Sequence, residues 1–371
     1  MSVSIVTVFV AKENRNIINA IERIVHFFEG ELDLKRGVFL KPNIVFPVRD
    51  NSGEITRRKV VEAVVEVLRG IDHKVDIVIG EGPAAGTITE ENFRVSGYFE
   101  LARKLKIDIV DIHQSETVPV PWKYGKIRLP RIALEKTYIN LPILKRSAAA
   151  GFSGAMKNQK GLLRPGLKKG FHRIGLHHPI AYLNQVIQPN LTILDGINAF
   201  SDNYFVASQS TCEIDYFIAQ VLKIHLPDHV AYSLVGKNGK NNNFFGDNID
   251  NAVIINRLVE TSQFKKFINL RLWNNPKACS MCRFTLMRVK KFPFEDLYYT
   301  LQMISRLWKY IILGADIVIG SNPQCQNTKN RIICIGNCTK SFAKKHHGIF
   351  IPGCPPTAED MLRYLIKPYK F

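Results

Sequence analysis

A chain of 371 residues is too long for one small domain and suggests two or three α/β-sized units. Its 46% hydrophobic and 22% charged content are those of a globular protein able to bury a sizeable core. Lys and Arg total 51 against 32 Asp and Glu, a net charge of +19 that favours anionic partners: RNA, phosphorylated cofactors, an acidic protein or an anionic membrane surface. The plain alternative is a solvated basic surface that keeps the protein in solution.

The chain opens on MSVSIVTVFV, which is apolar but lacks a basic leader and a small-residue cleavage site. It reads as a first strand over 4–10. A helix over 16–28 follows, with apolar residues at helical spacing. Residues 37–40 form a strand that runs into Lys41-Pro42-Asn43. An amphipathic helix over 57–68 leads to a continuous apolar strand over 75–80, of the type buried on both faces. That strand ends at Glu81-Gly82-Pro83, where wound α/β sheets place ligands. A helix over 99–105 and strands over 107–112 and 137–144 extend the rhythm. The prediction is an α/β fold with a wound, mostly parallel sheet.

Further on come a glycine- and lysine-rich stretch over 148–173, a strand over 191–195 ending in Asp195-Gly196, and a helix over 215–223. The polar run Lys-Asn-Gly-Lys-Asn-Asn-Asn over 237–243 reads as a loop and as the domain boundary. This divides the chain into an α/β domain over 1–236 and a cysteine-bearing lobe over 244–371. In the lobe, helices are expected over 295–313 and 357–365 and strands over 316–319 and 331–335. No apolar stretch approaches the roughly 20 residues that span a bilayer. Seven cysteines without a secretion signal point to metal or thiol chemistry in a cytoplasmic protein rather than to a disulfide framework.

Four of those cysteines stand in motifs. Cys279 and Cys282 form a C-x-x-C, a spacing that lets one tight turn aim two thiolates at a metal. Cys338 follows Gly336-Asn337, and Cys354 lies between Gly353 and Pro355-Pro356. A zinc ribbon offers two C-x-x-C knuckles, whereas one knuckle with two dispersed thiolates is more typical of iron–sulfur ligation. A [4Fe–4S] cluster on Cys279, Cys282, Cys338 and Cys354 is the leading expectation. Zinc and metal-free thiols are the alternatives. Cys334, in an apolar strand, and Cys212 read as core residues, and Cys325 is a reserve ligand. The G-x-C and G-C-P-P pattern at the chain's end resembles the [4Fe–4S] site in the small subunits of NADH–quinone oxidoreductases and nickel–iron hydrogenases. The likeness covers some thirty residues (the C-x-x-C is not part of it) and implies iron–sulfur rather than zinc.

The stretch 154–173 places six cations, Lys157, Lys160, Arg164, Lys168, Lys169 and Arg173, among four glycines, a composition suited to phosphate or carboxylate binding. It is not a P-loop, and a solvated surface loop is the simpler reading. Lys41, Asn43, Glu81, Asn140, Lys145 and Asp195 fall at strand ends that converge in a wound sheet. With Lys157, Asn158 and Lys160 they form the candidate anion-binding crevice.

The Lys41-Pro42-Asn43 turn, Asn140-x-Pro142 with Lys145, Lys157-Asn158-Gln159-Lys160-Gly161 and Asp195-Gly196 resemble the domain of unknown function family numbered 362 (DUF362). The motifs occur in the family's order over residues 38 to 235. At 146–147 this chain has Arg-Ser, where many members carry a lysine-x-histidine. Many members also carry ferredoxin-like iron–sulfur modules, so the resemblance implies a cluster as well. The functional expectation is an iron–sulfur protein, a redox or sulfur-handling enzyme that acts on an anionic small molecule or phosphorylated cofactor and works with a redox partner protein. An RNA- or tRNA-binding protein with a structural cluster, or a zinc-stabilised scaffold, is the alternative.

Overall fold

The computed structural model describes residues 6–14, 16–84, 87–147, 151–197, 200, 202–235, 242–249, 270–273, 314–320 and 331–366. Two compact units divide the chain. One comprises Met1–Arg146 and Ala150–Leu258, the other Ser147–Ala149 and Val259–Phe371.

In chain order the strands of the first part are β1 (Val6–Lys12), β2 (Val38–Pro42), β3 (Ile77–Glu81), β4 (Asp108–Asp111), β5 (Thr117–Trp122), β6 (Gly125–Pro130), β7 (Thr137–Leu141), β8 (Lys145–Ser147), β9 (Gly151–Ser153), β10 (Leu191–Asp195), β11 (Tyr204–Ser208) and β12 (Asn242–Gly246). Eight of them form one sheet in the order β12-β1-β11-β10-β7-β2-β3-β4. β10, β7, β2, β3 and β4 are parallel neighbours. β11 runs antiparallel to both β10 and β1, and β12 is parallel to β1. Every strand but β11 therefore ends at the same edge. β2, β3, β7 and β10 are buried along their whole length, which is why they read as unbroken apolar runs.

Side chains alternate across the sheet, so successive residues enter different cores. Phe9, Ala11, Ile193, Phe205 and Ala207 pack with Ile21, Ile24, Val64 and Leu68 of the helices Ile17–Phe27 and Arg58–Ile71. Val8, Val10, Leu194 and Val206 pack on the other face with Ile214 and Ile218 of the helix Thr211–Val221. The first helix starts where Asn16 caps it, its side chain accepting from the Ile18 amide at 3.0 Å.

The second unit contains a four-stranded parallel sheet, β13 (Leu270–Trp273), β14 (Ala315–Ile319), β15 (Arg331–Ile335) and β16 (Ile349–Ile351), in that spatial order. Ile317, Ile319, Ile333, Ile335 and Ile351 bury one face against Met361 of the helix Ala358–Ile366. Val318, Cys334 and Phe350 bury the other with Ala343. No described helix is long and apolar enough to cross a membrane.

Five strands differ in notable ways from the sequence reading. β12 falls in the polar run taken as the boundary, yet its backbone pairs with β1, so the first unit extends past 236 to Leu258. Pro119 and Pro121 hide the β5–β6 hairpin, where prolines are tolerated because its strands pair only with each other. β11 is too short and evenly apolar to announce its reversed direction, and β7 stops at Leu141, before Pro142. The helix expected over 295–313 and Cys279, Cys282 and Cys325 lie outside the described residues.

Candidate functional site

The parallel strands bring a set of polar residues to the carboxyl edge of the first sheet. Lys41 is the penultimate residue of β2 and Glu81 the last of β3, both buried, with Nζ to Oε1 at 3.0 Å. The Lys41 ammonium also donates to the Pro42 carbonyl and to Asn158 Oδ1, each at 3.3 Å. Glu81 in turn accepts from the amides of Ile44 (3.0 Å) and Gly82 (2.7 Å), so its charge is held by the backbone as well as by the lysine. Burial pushes the Lys41 pKa down, and the Glu81 carboxylate resists that shift.

Asn158 is the hub of this network. Its Oδ1 accepts from Lys41 and from Asn43 Nδ2 (2.7 Å), and its Nδ2 donates to Asn140 Oδ1 (2.8 Å) and the Lys41 carbonyl (3.4 Å). Lys145 donates to Asn43 Oδ1 at 2.8 Å and to the Glu54 carbonyl. The Asn43 amide donates to Thr56 Oγ1, which donates to the Leu141 carbonyl. Gln159, also buried, accepts from the Tyr138 hydroxyl at 2.5 Å. A polar network satisfied to this degree is rigid, because each lost bond would leave a buried polar group without its partner.

Lys41, Asn43, Glu81, Asn140 and Lys145 meet Asn158 of the glycine- and lysine-rich segment in a packed centre rather than in the walls of an open crevice. The segment 155–163 is laid across the sheet edge. A Cβ at Gly161 would lie 2.3 Å from Lys41 Nζ and 2.4 Å from Glu81 Oε1, so only glycine fits this close backbone approach. Lys157 and Lys160 have different neighbours. Lys157 lies within electrostatic reach of Asp215 and His229, whereas Lys160 sits over the Phe171 ring, 5.9 Å from its centroid.

Asp195 forms a second centre. Its carboxylate accepts two hydrogen bonds from Arg57, Nε at 2.6 Å and Nη2 at 2.8 Å, and Arg57 also pairs with Glu13 at 2.9 Å. Arg57 was not legible as a site residue, since it precedes an amphipathic helix where solvated arginines are common. A third group flanks the Glu81 loop. The Lys168 ammonium donates to the carbonyls of Gly82 (2.6 Å) and Pro83 (2.8 Å) and to His113 Nε2 (3.0 Å). Burial, reinforced by Lys41 and Lys160 and opposed by Glu81, lowers the Lys168 pKa to about 7. Burial and the Lys168 charge lower that of His113 to about 4.

In the second unit, Cys338 and Cys354 are both exposed, in loops that follow β15 and β16. Asn337 N donates to the Gly353 carbonyl at 2.8 Å, and Gly353 N donates to Asn337 Oδ1 at 2.8 Å. Gly336 N adds a bond to the Ile351 carbonyl at 2.9 Å. Gly336 (φ 93°) and Gly353 (φ 133°) occupy backbone conformations that glycine adopts readily. Cys212 and Cys334 are buried.

A mostly parallel α/β sheet with asparagine- and lysine-bearing strand ends defines the class of this protein. Residues 38–220 match the family model described as a domain of unknown function, DUF362, so the family resemblance is borne out over a segment that includes every polar residue of the first network. No curated protein matches the chain. Among solved structures, the lactate racemase apoprotein from Thermoanaerobacterium thermosaccharolyticum is similar, with 12% identity and a TM-score of 0.38. That alignment covers 56% of this chain and 54% of the racemase, so the chain spans about half the length of that protein.

Proposed function

We propose that this is an iron–sulfur protein, a redox or sulfur-handling enzyme that acts on an anionic small molecule or phosphorylated cofactor. Cys279, Cys282, Cys338 and Cys354 would hold the [4Fe–4S] cluster. The observation that supports this reading is the reciprocal Asn337–Gly353 pairing, which ties together two loops that each expose a cysteine at the end of adjacent parallel strands. A thiolate pair presented this way, with glycines that let the backbone approach closely, suits an inorganic centre. When bound, the cluster would supply electron transfer or, with an open iron, Lewis acidity.

The chain's own residues would set the anion's place. At the first sheet's edge Lys145 retains access to the surface, its side chain 10% exposed, while Lys41, Glu81 and Asn158 fix Asn43 and through it the Lys145 ammonium. Burial lowers the Lys145 pKa, and the Glu54 and Glu81 carboxylates resist that shift. The supporting experiment is anaerobic purification with an absorbance spectrum and iron and sulfide assays. Brown protein with broad absorbance that bleaches on reduction is expected, with iron content strongly reduced in Cys354→Ser and unchanged in Cys212→Ser. Colourless protein holding one tightly bound zinc overturns the assignment.

A further inference from the structure

The cations that carry motif context are largely committed inside the fold. Lys41 and Lys168 are buried and hydrogen-bonded to the chain itself, and Lys145 keeps only a narrow access to the surface. Two exposed cations of the first unit, Lys123 and Lys126, lie on the β5–β6 hairpin beside a surface made of aromatic rings. Trp122 and Tyr124, on the β5–β6 hairpin, meet edge to face at 5.1 Å between centroids. Tyr124 meets Tyr182 at 5.8 Å, Tyr182 stacks towards His178 at 6.5 Å, and His178 stacks on Tyr232 at 3.8 Å. The run crosses three elements: the hairpin, the helix His177–Val186 and the helix Asp228–Leu234.

This surface is open. Tyr124 is 45% and Tyr232 40% exposed. It is also basic. Lys123 lies 5.9 Å over the Tyr182 ring, and Lys126 is exposed on the same hairpin. At its inner end Trp122 stacks at 5.5 Å on Phe171, whose other neighbour is the Lys160 ammonium. Asp228, at the far end, faces His177 at 3.9 Å.

We infer that this aromatic and basic surface binds single-stranded nucleic acid. Bases offer π-faces that stack on tyrosine and tryptophan whatever their sequence, and the phosphates between them match lysines interleaved with the rings. An acidic protein segment would satisfy the lysines but would leave the stacked rings without complementary planar groups. The inference does not depend on the cluster, whose proposed ligands lie in the other unit.

The test is fluorescence anisotropy with the full chain and a labelled single-stranded RNA of roughly a dozen nucleotides, titrated at several salt concentrations. Binding is expected to weaken linearly in log affinity against log salt. Tyr124→Ala should weaken it roughly tenfold with an unchanged salt slope, and Tyr124→Phe should restore it. The double variant Lys123→Ala, Lys126→Ala should reduce the slope by about 1.4, the loss of two phosphate contacts to a single strand. Because these three side chains are exposed, unchanged circular dichroism is expected in every variant. Absence of binding at low salt overturns the proposal. So does equal affinity for duplex and single strand with no effect of Tyr124→Ala, which would mark non-specific charge attraction. Capture of an acidic protein through Tyr124, without RNA binding, overturns it as well.

Discussion

Lys41 and Glu81, at the ends of neighbouring parallel strands, form a buried ion pair whose open side is closed by the backbone of Gly161. The pair exists because β2 and β3 lie side by side with Leu40 opposite Ile79, which brings Lys41 to within one residue of the level of Glu81. Removing one partner leaves the other charge buried and uncompensated. Lys41→Met is therefore expected to cost about 3–5 kcal/mol in urea denaturation. The double variant Lys41→Met, Glu81→Leu should recover part of that loss, and only part, because the Ile44 and Gly82 amides lose their acceptor. A single variant as stable as the parent would show that the pair is solvated.

Gly161 gives a sharper test of the cover. Gly161→Ala must displace Lys41 or Glu81 and should destabilise the protein by about 1–3 kcal/mol. Gly166→Ala, in the helix Pro165–Arg173 with nothing within 4 Å of the added carbon, should be neutral or stabilising by up to about 1 kcal/mol. Thermal denaturation of the two alanine variants side by side decides it. Equal melting temperatures would refute the close approach.

The Lys168–His113 contact predicts how stability follows pH. His113 titrates near 4 when folded and near its ordinary 6.5 when unfolded, so the unfolded chain binds more protons between those values. Stability from this group is full above pH 6.5 and drains away as pH falls towards 4. Lys168 titrates near 7 when folded and near 10.5 when unfolded, so here too the unfolded chain holds more protons, and stability rises with pH from 7 to 10.5. Urea midpoints measured across pH should show both rises. Lys168→Met should flatten the alkaline one while lowering stability overall, because the Gly82 and Pro83 carbonyls lose their donor. An alkaline slope unchanged in that variant would count against the assignment.

Arg57 is predicted to be irreplaceable by lysine. Its planar fork meets both oxygens of Asp195 while Nη2 reaches Glu13, a geometry that a single ammonium cannot reproduce. Arg57→Lys should cost about 2–3 kcal/mol, and Arg57→Met more, since Asp195 is then buried without any counter-charge. Chemical denaturation of both variants, ranked against Lys59→Met at the exposed end of the same network, supplies the comparison.

The strand ends were the most legible part of the site. Lys41, Glu81, Asn140 and Asp195 each lie at or next to the end of a largely apolar strand, and parallel strands of similar length bring such residues to one edge. What could not be read was the destination of the 155–163 segment. Its lysines and glycines look like a solvated anion loop, yet Asn158, Gln159 and Gly161 are the residues that enter the fold, and Asn158 meets Lys41 and Asn43, each more than a hundred positions away. β12 was missed for a similar reason. Asn242 and Asn243 have no strand preference of their own, and it is pairing with Val6 and Thr7 that orders them. The β5–β6 hairpin escaped notice because Pro119 and Pro121 interrupt an alternation that only the partner strand makes visible.

The hydrogen bond from Lys41 to Asn158 joins residues 117 positions apart. During synthesis from the amino terminus, β2 and β3 can pair well before residue 158 exists, leaving Lys41 and Glu81 facing water. The nascent sheet thus keeps its two charges hydrated and at little cost until Asn158 and Gly161 arrive. Dehydration of the pair then waits on that one short segment. A chain released before residue 161 would carry a paired but unsealed sheet, open to chaperones and proteases at the edge that the finished protein closes.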